Sequence, residues 1–161
     1  MTAFDFVSKY NVVLGTAPAN YTGAASTSDI ISLKNYESVT VAILCGAWAA
    51  GTAAVTISQC QDVSATGAKA LTFTNQWTNV ADTTTDVLTK TAVTSNTFNL
   101  SVANAVHLIE ITGDMLDVDN SFDCLRVNVA SPGANADYYG VWFIVGNPRY
   151  AGSAMPTAIT D

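Results

Sequence analysis

Between residues 39 and 59 apolar and polar positions alternate with period two. Val39, Val41, Ile43 and Cys45 fall on one parity and Thr40, Ala42 and Leu44 on the other; beyond Ala49-Ala50-Gly51-Thr52, Val55, Ile57 and Gln59 alternate with Thr56 and Ser58. Such alternation marks strands with one buried face, and the short break between the two runs predicts a hairpin. The same pattern returns over 122–130, where Leu125, Val127 and Val129 oppose Cys124, Arg126 and Asn128, and a strand is predicted over 105–111. Residues 138–146, YYGVWFIVG, are apolar on both parities, as expected of a strand covered on both faces by another layer or another subunit. Shorter strands are predicted at 11–15, 30–33, 69–73, 87–91 and 97–101, a helical turn at 112–117, and loops at 79–86 and 131–137. Turn signals every eight to fifteen residues suit a sandwich or barrel.

Composition supports the same class. The 161 residues include 21 Thr and 17 Val, strand formers, while Asp, Glu, Lys and Arg together make up 12%. The expected fold is a single all-β domain over 1–161, an antiparallel β-sandwich in the form of an eight-stranded jelly roll with two four-stranded sheets. Val41, Ile43, Val55, Ile57, Leu125, Val127, Val129, Val141 and Phe143 are its expected core. Residues 1–17 read as an N-terminal segment, and 147–161, with Pro148 and Pro156 and no periodicity, as an extended C-terminal arm.

Charge and motif content narrow the function. The formal net charge is −7 and the six basic residues are scattered singly, which argues against direct nucleic-acid binding. Mean hydropathy is +0.27, yet every apolar run stops short of a membrane span, and MTAFDFVSKY has no cleavable-signal pattern. Cys45, Cys60 and Cys124 lie in apolar runs at no metal-ligand spacing and read as buried thiols of a reducing compartment, with one disulfide plus a spare thiol as the alternative. His107 reads as a hydrogen-bonded histidine at a sheet surface. Asp117, Asp119 and Asp123 follow the first half of a calcium loop, but Phe122 replaces its glycine and Asn128 its bidentate Glu, so they are a weak calcium candidate beside an acidic turn. Trp48, Trp77, Trp142, Tyr138 and Tyr139 suit core or interface packing better than a sugar platform. No nucleophile, P-loop or dinucleotide signature is present, so a non-enzymatic protein without cofactor is expected.

The run KNYESVTVAILCGAWAAGTAAVTISQCQDVSATGAKALTF and the later VHLIEITGDMLDVDNSFDCLRVNVASPGANADYYGVWFIVGNPRY, with its "LD…FDC.RV" and "PRY" segments, resemble small virion proteins of tailed bacteriophages that decorate or cement the capsid. The resemblance covers about residues 29 to 150. It implies a β-rich, often trimeric protein that binds symmetry-related sites on an assembled shell, and it carries over no site residue. The expectation is therefore a virion structural protein assembled in the host cytoplasm. Its partners are itself, as a homotrimer, and the major capsid protein; nucleic acid and membrane are not among them. A carbohydrate-binding jelly-roll module on a virion or cell surface is the alternative. Tyr138, Trp142, Ile144, Arg149 and Tyr150 are the expected oligomer contacts. Phe4, Phe6 and Tyr10, which otherwise lack a strand partner, are the expected capsid contacts.

Overall fold

The computed structural model describes residues 6–80, 86–150 and 155–160. A short helix α1 (Phe6–Lys9) leads into β1 (Tyr10–Asn20), β2 (Ser26–Thr27), β3 (Ile31–Ser32), β4 (Tyr36–Trp48) and β5 (Ala53–Cys60). Then come β6 (Lys69–Ala70), β7 (Asn75–Val80), β8 (Thr89–Ala92), β9 (Thr97–Leu100) and β10 (Ala105–Thr112). Two 3-10 turns (Gly113–Met115 and Val118–Asn120) precede β11 (Cys124–Val129) and β12 (Asp137–Pro148). Among the described residues no helix is long and apolar enough to cross a membrane.

Every strand pair is antiparallel, and the strands form two sheets. One runs β1-β12-β4-β10-β7-β8; the other runs β2-β11-β5-β6, with β3 also on β11 and β9 also on β5. β2 and β3 are two pieces of one interrupted strand along β11, and β6 and β9 share the far edge of β5. Counted so, eight principal strands pair first with eighth, second with seventh, third with sixth and fourth with fifth. That nesting is a long hairpin rolled into a sandwich, the jelly roll, with four principal strands per sheet. The β7–β8 hairpin, inserted between β6 and β9, extends the first sheet to six strands.

The predicted hairpin over 39–59 is not one. β4 lies in the first sheet and β5 in the second, and the segment Ala49–Thr52 crosses between them. Gly51 takes a φ of +88° there, and a Cβ on it would meet the Pro132 carbonyl oxygen at 2.7 Å. Alternation reports which face of a strand is buried, not which strand lies beside it. Val41 and Ile43 from one sheet and Val55 and Ile57 from the other enter a single interior and are fully buried. Leu125, Val127, Val141 and Phe143 complete its centre, each burial of this size contributing roughly 1.5–3 kcal/mol. β7 escaped the pattern because NQWTNV carries one large apolar side chain before Val80 and is half-buried over most of its length.

Both chain ends differ from expectation. β1 is eleven residues long and pairs with β12 from Tyr10 opposite Gly146 to Asn20 opposite Tyr138, so Tyr10 has a strand partner. The bulge after Leu14 falls at Gly15, where a Cβ would meet the Phe143 ring at 2.6 Å; glycine lets that ring fill the core. At the other end, residues 155–160 do not extend away as an arm. The Tyr36 hydroxyl donates to the Pro156 carbonyl at 2.5 Å, the Ser32 N–H donates to the Ala158 carbonyl at 2.7 Å, and Ala158 joins the core. A fully buried tyrosine needs a partner for its hydroxyl, and the chain end supplies one.

Candidate assembly surface

The outward parity of the six-stranded sheet is unusually apolar. Following the register, Leu14 faces Trp142, Trp142 faces Ala42, Ala42 faces Leu108, Leu108 faces Trp77, and Trp77 faces Lys90. One rung thus crosses all six strands, five of them with apolar side chains. The neighbouring rungs are mixed: Val12 and Ile144 continue into Thr40 and Glu110 on one side, and Leu44 and Val106 lie between Gly140 and Asn79 on the other. Val12, Leu14, Leu44 and Tyr138 remain 42–49% exposed, while Trp142, Ile144, Leu108 and Trp77 are half-buried. Half-exposed large apolar residues scattered singly are ordinary; a contiguous band of them marks an interaction surface.

Two depressions flank this band. A cavity of about 280 Å³ lies between Tyr138 and Trp142, walled by Pro18 and Leu44 and floored by Gly46. Gly140 lets its walls close in, because a Cβ there would meet the Trp142 ring at 2.7 Å and Pro18 Cα at 3.1 Å; the indole rests against bare backbone. A second depression of about 220 Å³ sits among Trp77, Leu88, Leu108 and Glu110. Lys90 Nζ stands 5.4 Å from the Trp77 ring centroid. The face therefore offers one flat apolar band and two recesses for protruding side chains.

The structure regroups the expected contact residues. Tyr138, Trp142 and Ile144 share this face. Tyr10 lies on it too, its ring over Gly146 and stacked on Phe6 at 5.0 Å between centroids. The surfaces expected to be separate, one for the oligomer and one for the capsid, are thus continuous along β1 and β12. Arg149 lies apart, past the end of β12, where with Glu37, Asp114 and Asn147 it lines a polar cavity of about 330 Å³. Tyr150 beside it is 79% exposed, and Phe4 lies outside the described residues.

Two of the calcium candidates, Asp117 and Asp123, go to separate partners. The Asp117 carboxylate contacts Lys69 Nζ and accepts from Asn120 Nδ2 at 2.9 and 3.0 Å; the Lys69 contact, with Asn120 assisting, holds its pKa below the usual carboxylate range. Asp123 accepts from the Cys124 thiol at 3.2 Å, and Asp119 sits in the second 3-10 turn. Among the described residues no three of His, Cys, Asp and Glu gather as a metal-binding group. His107 is also not where the sequence suggested. It points inward, stacks on Phe98 at 5.6 Å, and burial lowers its pKa to about 4. Its position between inward-facing Ala105 and Ile109 was the available signal, since those three share one parity.

No protein-family model and no curated protein matches the sequence. Among solved structures, one titled "Structure of infectious bursal disease virus Gt strain" aligns with 95% of this chain at 12% identity and a TM-score of 0.26. The chain spans about half (46%) of the length of that structure's chain.

Proposed function

We propose that this chain is a structural protein of a tailed-phage particle, non-enzymatic, which binds the capsid as an oligomer, a homotrimer, and decorates or stabilises it. The observation that carries this reading is the apolar rung across the whole outer face of the six-stranded sheet, on a jelly roll whose own core is already filled. Such a face is stable in water only at a cost, and burying it against protein removes that cost. The resemblance over residues 29 to 150 supplies the class of assembly. The acidic balance suits a protein that shares a particle with packaged DNA without adhering to it. A sugar platform would need polar groups to hold hydroxyls beside the aromatic rings. The recess between Tyr138 and Trp142 is mostly apolar instead, which better suits a side chain of a partner protein.

The test is co-sedimentation with capsids of the phage whose genome encodes the chain. Wild-type protein should pellet with shells at a fixed ratio to the major capsid protein, and a Leu14→Lys/Leu44→Lys double variant should lose at least tenfold in affinity. Absence of wild-type protein from pelleted shells at every concentration would end the proposal.

A further inference from the structure

Cys60 and Cys124 stand directly opposite one another on β5 and β11, and both are fully buried. Residues opposed in this way carry their side chains on one face of the sheet. Here it is the outer face, because the alternate residues Ile57, Leu125 and Val127 fill the core. Backbone hydrogen bonds fix the kind of pair. The Val127 N–H donates to Ser28 Oγ and its carbonyl accepts from the Ser28 N–H, so odd residues of β11 turn their backbone groups away from β5. Even residues, Cys124 among them, turn theirs toward β5, and the Ala130 N–H on the Ala54 carbonyl continues that parity. The cysteines are therefore a hydrogen-bonded cross-strand pair with Cα atoms about 5.5 Å apart, inside the roughly 4.4–6.8 Å span of disulfides.

The surroundings differ for the two thiols. Cys124 Sγ donates to Asp123 Oδ1 at 3.2 Å. Arg126 follows two residues on along the same face, and its Nε is buried without a partner. Burial pushes the Cys60 thiol up while the Arg126 charge pulls against it. Cys45 belongs to the other sheet and lies on the inward parity, where burial holds its pKa at about 12.

We propose that Cys60 and Cys124 are a redox pair that closes to a cross-strand disulfide when a small-molecule disulfide such as oxidised glutathione replaces the reducing pool. The Cys60 thiolate attacks a glutathione sulfur, forming a mixed disulfide and releasing one glutathione thiolate. Cys124 then attacks the Cys60 sulfur and expels the second glutathione thiolate; the protons given up by Cys60 and Cys124 pass to the two departing glutathione thiolates. Two protein thiols are oxidised, one glutathione disulfide is reduced to two thiols, and the chain loses two hydrogens. Access requires local opening of this end of the sheet, so closure takes hours rather than seconds. This inference does not rest on the capsid reading.

The test uses the full chain, reduced and then held overnight in a glutathione redox buffer set to the oxidising side, alkylated under denaturant and weighed intact. The expected product lacks two hydrogens, carries a single alkyl group on Cys45, and gives a peptide linking residues 60 and 124. Its melting temperature should exceed that of the reduced chain by about 5–10 °C, reversibly with dithiothreitol. Cys45→Ser should still close and Cys60→Ser should not. Three alkylated cysteines, a mixed disulfide that never resolves, or a bond involving Cys45 would each overturn the proposal, and all three are read from the wild-type chain.

Discussion

His107 shows how a single residue sets a pH limit on the fold. Its Nε2 is buried without a partner, Nδ1 reaches Thr78 Oγ1 only at 3.5 Å, and its ring packs on Phe98. Desolvation disfavours the charged ring, lowering the folded pKa to about 4 from an ordinary 6.5. A depressed histidine contributes its stability fully above pH 6.5 and loses it as pH falls from there through 4. By linkage the loss at pH 5 is on the order of 2 kcal/mol. The urea midpoint should therefore drop between pH 7 and pH 5 in the wild type, and His107→Phe should remove most of that drop. An equal fall in both proteins would show that the ring is not kept neutral by burial.

At the scale of elements, two contacts carry weight beyond their size. Tyr36→Phe removes the hydroxyl that holds the Pro156 carbonyl, which is left to find water; a cost of about 1 kcal/mol is expected in urea unfolding, with faster proteolysis after residue 150. An unchanged midpoint and cleavage rate would mean the last residues contribute nothing to the sandwich. Gly140→Ala should lift the Trp142 indole off β12 and red-shift its fluorescence, while the inward side chains Val141 and Phe143 stay in place. Inward and outward parity was legible because the core strands alternate strictly, as β5 and β10 do through Val55, Ile57, Ile109 and Ile111. Pairing was not, since Val41 and Val55 present the same pattern whether their strands share a sheet or face across a core. The run over 138–146 is apolar on both parities, and in the sandwich its inner parity is buried while Trp142 and Ile144 on the outer parity stay half-buried. The union of Tyr10 with Trp142 and Ile144 was invisible, because only the antiparallel register of β1 on β12 brings together residues 132 and 134 positions apart.

Across the whole molecule, the outer face of the six-stranded sheet is large enough to matter. Six strands about 4.8 Å apart and four side-chain rungs about 7 Å apart give that whole face an area on the order of 500 Å². The apolar band is only part of it, since Thr40, Asn79, Lys90 and Glu110 share the same rungs. An interface of the roughly 1,000 Å² at which specific ones begin therefore takes in that polar margin as well. Placing lysines at Leu14 and Leu44, both more than 40% exposed, leaves the interior untouched. The double variant should melt within a few degrees of the wild type, as surface substitutions do. The most direct measurement of the central claim is sedimentation equilibrium of wild type and double variant from about 1 to 100 μM. The wild type should weigh more than the 16.8 kDa chain, approaching three times that mass, and the variant should stay at one. A wild-type mass of 16.8 kDa throughout, or a variant that associates as the wild type does, would contradict the assignment of this face to assembly.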